Sequence, residues 1–414
     1  MRELWLQISH TSAAKVYSLI SGMVVLFLTA RWLGPEGRGV VAAVTTWVSL
    51  FSTFGFLSLG QVALHLATER REENWLPSVF GSLMFIAALV TVSAWTVAGI
   101  LHLWSNGGIF NHINGLLIAL GFLSLPFIVW EQYGSSLLTA TDRLSVYNRA
   151  QIIGRTVGIL AVILLLWVGW GIAGVLLASL AAQVTVAAAG IRCLWAEASG
   201  CVRPNWATVK ELLRGGLKLH FNAVGTYLFS SASILIIDHY RGKAETGQYQ
   251  LAVQLLSATM IIPQSASMVL YSKMSQVGVN AVWPFQKRIL LGMTALMIVG
   301  SGVAAVAAPF IINLLAGSGF APSADIFRIL LLASVGTVFS AVMAPQWIGR
   351  GLFWQAAAIT LACGFSSVAL AFWLVPKHGM LGAAWAFVAT YALALGSNGA
   401  MGLWVECRTR AVGA

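Results

Sequence analysis

The sequence predicts an all-α membrane protein of twelve transmembrane helices, built as two six-helix lobes. Three observations predict this class. Hydrophobic residues make up 58% of the 414 residues, charged residues only 9%, and the mean hydropathy is +0.83. Apolar runs long enough to cross a bilayer recur along the whole chain. A short glycine-rich motif near residue 31 returns near residue 239. Since lipid offers no partner for backbone N–H and C=O groups, the runs must be helices or a closed barrel.

Charged residues or Gly, Pro and Asn bound each apolar run. The twelve runs cover residues 10–33, 39–66, 78–104, 113–140, 145–168 and 171–194 in the first half, and 212–237, 247–271, 285–312, 322–349, 352–375 and 379–404 in the second. Each is about twice the length of a barrel strand and none alternates with a period of two, so every run is predicted to be a helix. The first run is too long for a signal-peptide core, and we interpret it as a retained span.

The repeated motif indicates an internal duplication. Gly34 aligns with Gly242, and Gly39 with Gly247, at a constant offset of 208 residues, almost half of the chain. The most polar linker, from Arg192 to Lys218, separates the two copies. We therefore predict an N-terminal lobe at residues 1–200 and a C-terminal lobe at residues 201–414. A duplicated helical bundle is typical of membrane carriers.

The positive charges set the predicted orientation. Most of the 24 Lys and Arg residues fall on one side of the membrane when the N-terminus is placed in the cytoplasm, and an even number of spans puts both termini there. The net charge of +11 is then explained by topology and by contact with anionic lipid, so no nucleic-acid partner is predicted. The four cysteines form no C-x-x-C pair, and no metal or cofactor is predicted.

Each predicted lobe begins with a polar, basic helix face. In the first span, Lys15 shares a face with neighbouring hydroxyl residues, and His10 corresponds to Lys218 under the 208-residue offset. We predict that cationic and polar side chains of the first and seventh spans line a substrate-binding cavity that holds phosphate groups: His10, Lys15, Lys218, His220 and Asn222. A competing interpretation is that both lysines extend to the lipid headgroups.

Glu131 and Arg155 are the clearest intramembrane charges. They lie at equal distances from Arg143, in the turn that joins the fourth and fifth spans. An antiparallel hairpin would bring them to the same depth, where pairing lowers the cost of each charge. We predict a structural ion pair, with a proton-coupling or cargo-binding role for Glu131 as the alternative.

Charged residues also ring the predicted outer ends of both repeats. Arg31, Glu36 and Arg38 belong to the first motif, and the second motif contributes three more, namely Arg241, Lys243 and Glu245. These six residues are candidates for a periplasmic gate of salt bridges. Exposed loop charges are more often simply solvated, and this alternative stays open.

Three segments resemble a known family. The stretch from Arg31 to Ala42, the run Leu212 to His220, and the segment Val375 to Ala386 are similar to the first loop, the opening of the seventh helix and the link between the last two helices of bacterial oligosaccharide flippases. These proteins form the polysaccharide-export branch of the multidrug/oligosaccharidyl-lipid/polysaccharide (MOP) exporter superfamily. The similarity follows the correct order over nearly the whole chain.

The resemblance implies two six-helix lobes in a MATE-like V and transport by alternating access. It implies a cargo, an undecaprenyl-pyrophosphate-linked oligosaccharide, exported across the bacterial cytoplasmic (inner) membrane for O-antigen, capsule or exopolysaccharide synthesis. Partners would be the lipid bilayer and the polysaccharide polymerase and glycosyltransferases of the same pathway.

Two alternatives stay open. A MATE-type drug or cation antiporter would require acidic residues deep in the first two helices, where we find none. A membrane enzyme acting on prenyl-linked sugars would require a large outer loop, whereas every predicted outer loop is short. The sequence shows no catalytic constellation and no ATP-binding motif, so we predict a transporter and not an enzyme.

Overall fold

The computed structural model describes residues 2–69, 75–105, 108–198 and 202–412, and within these ranges the chain is helical and contains no β-strand. The chain divides into two compact units, Met1–Ala223 and Val224–Ala414. Each unit packs its own helices around an apolar core.

Unit 1 contains seven helices and most of an eighth. They are α1 (Arg2–Phe56), α2 (Leu59–Glu69), α3 (Leu76–Trp104), α4 (Gly115–Phe122), α5 (Leu125–Ala140), α6 (Leu144–Trp167), α7 (Gly171–Glu197) and α8 (Trp206–Ser230). Its core joins large buried side chains, among them Phe80 on α3, Tyr133 on α5 and Phe110 in the connection between α3 and α4. Tyr133 also donates its hydroxyl to the Phe56 carbonyl, 3.0 Å away, which satisfies a backbone group where α1 ends.

Unit 2 contains the end of α8 and seven further helices. They are α9 (Ala232–Arg241), α10 (Lys243–Thr259), α11 (Ile261–Val277), α12 (Val279–Ala316), α13 (Ser323–Leu331), α14 (Ser334–Gly349) and α15 (Phe353–Val412), with a short 3₁₀ turn at Ser318–Phe320. Two helix pairs are sharply bent, by 43° between α10 and α11 and by 51° between α13 and α14.

The helices confirm a multi-span membrane protein. Eight helices in the described ranges are long and apolar enough to cross a membrane, or ten if each bent pair forms one span. Two of the eight, α1 and α15, contain a break, at Gly34 and at Gly379. Dividing both helices at these glycines would give the twelve predicted spans, and the count of twelve stays a prediction.

The division between the units falls within α8, later than the boundary at residues 200 and 201 expected from the sequence. The first half of α8 packs into unit 1, where Val209 and Leu212 join the core. A Cβ on Gly216 would lie 2.4 Å from the Leu57 carbonyl oxygen, so only glycine allows this approach. Unit 1 therefore extends beyond the polar linker and includes most of α8.

The internal duplication is visible in the backbone. Gly34 (φ 65°, ψ −174°) and Gly242 (φ 87°, ψ −174°) adopt the same left-handed, extended conformation between two helices. A second pair at the same offset, Gly171 (φ 51°) and Gly379 (φ 58°), also has positive φ. Because residues with a Cβ are strained at positive φ, the backbone conformation of these turns favours glycine in both repeats.

Candidate functional site

One face of α8 is polar and exposed. Asn222, Thr226 and Ser230 follow each other at intervals of four residues, and all three are exposed. Lys218 lies one turn before them on the same helix, but its side chain is outside the described side chains, as are those of His10 and Lys15. Most other large exposed side chains are apolar, as lipid requires, so this face differs chemically from its surroundings.

His220 does not lie on that face. Its side chain is only 8% exposed, and its ring packs edge to face on Phe56, with 5.7 Å between the ring centroids. Neither ring nitrogen has a hydrogen-bond partner in the described part of the chain. Residues two apart on a helix point about 200° apart, which places His220 and Asn222 on different sides. The structure therefore separates two residues that the sequence analysis grouped.

The predicted pair of Glu131 and Arg155 is not formed among the described ion pairs. Glu131 Oε1 instead accepts hydrogen bonds from Tyr147 Oη (3.0 Å) and Gln151 Nε2 (2.5 Å), and Arg155 is exposed. The connecting turn comprises residues 141–143, between the end of α5 at Ala140 and the start of α6 at Leu144. Packing of the two helices brings Tyr147 and Gln151 of α6 to Glu131, and Arg155 lies about one helical turn beyond Gln151.

The two arginines among the predicted gate residues of unit 1 are engaged within that unit. Arg38 is buried and donates from Nη1 to Thr29 Oγ1 at 2.6 Å, across the break at Gly34. The Arg31 guanidinium lies 5.8 Å from the centre of the Phe27 ring. Glu36 is exposed. The arginine contacts stabilise the turn between two spans.

The outer charges of unit 2 form two ion pairs around Gly242. Lys243 Nζ lies 2.7 Å from both carboxylate oxygens of Asp238, whose side chain is 3% exposed. Arg241 Nε contacts Glu245 Oε1 at 3.2 Å. Glu245 Oε2 also accepts the Met380 backbone N–H at 3.0 Å, beside the break in α15. The predicted gate residues of unit 2 are thus paired with neighbours in their own unit.

Unit 2 contains a buried row of hydrogen-bonded polar side chains that was not predicted from the sequence. Gln286 Nε2 donates to the Val342 carbonyl (2.7 Å), Gln346 Nε2 donates to Gln286 Oε1 (2.6 Å), and Arg350 Nε donates to Gln346 Oε1 (2.9 Å). Both glutamines are almost fully buried. Burial lowers the pKa of the Arg350 guanidinium below its ordinary value. Two glutamines in separate apolar spans were the only sequence signal.

Metal binding finds no support in the described ranges. No group of three or more His, Cys, Asp or Glu side chains there could hold a metal ion.

Residues 4–277 match the model of a family described as polysaccharide biosynthesis protein. No curated protein sequence matches the chain significantly.

Solved structures of similar fold cover nearly the whole chain. The lipid II flippase MurJ in an inward closed conformation matches with a TM-score of 0.73 and 14% identity, over 94% of this chain and 86% of that one. A multidrug resistance MATE family transporter of the MOP superfamily, in an inward-facing conformation, matches with a TM-score of 0.69 and 14% identity, over 97% and 95%. A MOP superfamily transporter from Pyrococcus furiosus matches with a TM-score of 0.68 and 15% identity, over 99% and 96%. These similarities confirm the predicted MOP-type fold.

Proposed function

The chain belongs to the polysaccharide biosynthesis protein family, and on that premise we propose that it flips undecaprenyl-pyrophosphate-linked oligosaccharide units from the inner to the outer leaflet. The match over residues 4–277 is the observation that carries this proposal. The similarity in fold to the lipid II flippase MurJ supports it, because that protein is also a flippase with a lipid as its cargo.

The cargo imposes a physical requirement that α8 meets. A pyrophosphate and its sugars cannot cross hydrocarbon unaided, whereas the prenyl tail can stay in lipid. The carrier must therefore offer polar groups along the path of the headgroup. The exposed face of Asn222, Thr226 and Ser230 supplies hydrogen-bonding groups along about two helical turns. We place Lys218, and Lys15 on α1, at the phosphate-binding part of this path.

Cellular context follows from the same proposal. The protein would lie in the bacterial inner membrane with both termini in the cytoplasm. It would receive its cargo from glycosyltransferases and deliver it to a polymerase. His220, buried against Phe56, would support α8 and not touch the cargo.

A deletion strain tests the function directly. We expect loss of the surface polysaccharide and accumulation of one undecaprenyl-linked saccharide, identified by mass spectrometry of the lipid extract. Complementation with K15A or K218A should restore export to less than about a tenth of the wild-type level, since each substitution removes a charged hydrogen bond to phosphate. K210A is the matched control, because Lys210 is an exposed lysine on α8, the helix that also contains Lys218.

Normal export by both K15A and K218A, at equal protein level, would refute the cationic path and leave lipid-headgroup contact as the role of these lysines. A deletion strain without any accumulated lipid-linked saccharide would refute the flippase itself.

The fold also admits a MATE-type antiporter, since a MATE family transporter reaches a TM-score of 0.69. Drug sensitivity of the deletion strain, with unchanged polysaccharide, would select this second function.

A further inference from the structure

Arg350 differs from two neighbouring cations at its end of unit 2. Lys287 pairs with Glu406 (2.5 Å), and Lys273 lies 3.9 Å from the centre of the Phe285 ring. Among the described ion pairs none includes Arg350. Its guanidinium is thus a half-buried positive charge without a carboxylate.

The buried row of polar side chains fixes the orientation of this charge. Gln286 on α12 is anchored to the Val342 carbonyl of α14, Gln346 is anchored to Gln286, and Gln346 holds Arg350 by Nε. Holding the guanidinium by Nε leaves its two terminal nitrogens, which form a fork that matches phosphate, outside this hydrogen bond. A flexible surface arginine would need no such support.

Aromatic residues mark the depth of the site. Phe353 and Trp354, three and four residues after Arg350, begin α15 and are 55% and 62% exposed. Exposed aromatic residues at the end of a span lie at the level of the lipid headgroups. The groups available to a guanidinium at that depth are lipid phosphates.

The equivalent position in unit 1 lacks every part of this arrangement. At the 208-residue offset, Arg350 corresponds to Asp142, Gln346 to Leu138 and Gln286 to Ser78. The neighbouring cation of unit 1, Arg143, is neutralised by Glu197, with Nη2 and Oε1 2.6 Å apart. The feature is therefore specific to unit 2 and is not a general consequence of the repeated turn.

We propose that Arg350, oriented by Gln346 and Gln286, is a binding site for the phosphate of a membrane lipid. The lipid is either a phospholipid of the bilayer or the pyrophosphate-bearing prenyl lipid, since both present the same chemistry. A site for bilayer phospholipid goes beyond the proposed transport function and is independent of it, whereas a site for the prenyl lipid rests on that function.

Native mass spectrometry of the purified full-length protein tests the site. Phosphatidylglycerol and undecaprenyl pyrophosphate are titrated separately, with diacylglycerol as the phosphate-free control. We expect R350Q to bind one of the two phosphate lipids about tenfold more weakly than the wild type. R350K keeps the charge but loses the planar fork, so its affinity for that lipid should lie between those of the wild type and R350Q. R143Q should bind like the wild type, because Arg143 is already paired.

Each outcome is decisive. Weakened binding of phosphatidylglycerol assigns the site to bilayer phospholipid, and weakened binding of undecaprenyl pyrophosphate alone assigns it to the prenyl lipid. Unchanged binding of both lipids by R350Q overturns the proposal and leaves Arg350 as a helix cap of α14, which a lower melting temperature of R350Q would then show. If R350Q does not fold, R350K takes its place in the same titrations.

Discussion

In each unit two helices cross at an equivalent position, but the contact between them has a different chemistry. In unit 1, α1 meets α6 through a hydrogen bond between Tyr17 Oη and Thr156 Oγ1, 2.6 Å long. At the 208-residue offset, unit 2 has Gly225 and Gly364, and a Cβ on Gly364 would lie 2.8 Å from the Gly225 carbonyl oxygen. The duplication has kept the place where two helices meet while the chemistry of the contact has changed from a side-chain bond to backbone packing.

The turns around Gly34 and Gly242 show the same contrast. Their backbone is alike, but the positions of Asp238 and Lys243 are occupied in unit 1 by Ala30 and Pro35. Unit 2 therefore has a largely buried ion pair at its turn, whereas unit 1 has a rigid proline there and a hydrogen bond from the buried Arg38 to Thr29. Equal backbones do not imply equal electrostatics.

The largest expected effect comes from breaking this ion pair. K243A leaves the nearly buried Asp238 carboxylate without its lysine, and we expect a loss of about 3–5 kcal/mol of stability. Thermal unfolding in detergent measures it. The double variant D238A/K243A should recover most of the loss, because it removes both charges of the pair.

R241A is the matched control for K243A. The pair of Arg241 and Glu245 is more exposed, with side chains 38% and 28% accessible, so its loss should cost less than about 1 kcal/mol. Equal losses for K243A and R241A would contradict the distinction drawn between the two pairs.

A smaller effect is expected at the glycine crossing of unit 2. In G225A the new Cβ would lie 2.9 Å from the Leu361 backbone nitrogen, a contact that backbone atoms cannot relieve. We expect a destabilisation of about 1–3 kcal/mol, seen as a lower melting temperature. G300A is the control, since a Cβ on Gly300 in α12 meets nothing within 4 Å. A tolerated G225A would show that the crossing does not depend on glycine.

The smallest effect is expected at the polar crossing of unit 1. Y17F removes one hydrogen bond and should cost about 1 kcal/mol. A double-mutant cycle with T156V measures the coupling between the two hydroxyls. A coupling energy near zero would mean that the hydrogen bond adds nothing to the crossing.

The sequence alone determined the membrane class, the helical fold and the offset of the duplication. Hydrophobic composition excludes a water-soluble fold, and the absence of backbone partners in lipid leaves few architectures. Gly34 and Gly242 were recognisable because a left-handed turn selects glycine, whatever surrounds it.

Only the tertiary structure decided which side chains meet. The partner of Glu131 depends on how α5 packs against α6, and this packing brings Gln151 to the carboxylate while Arg155 lies about one helical turn further along α6. His220 lies outside the polar face because its position around the helix axis directs the ring toward Phe56. The hydrogen-bonded polar side chains from Gln286 to Arg350 belong to residues up to 64 positions apart. Spacing along the sequence does not predict such contacts, because the packing between helices determines them.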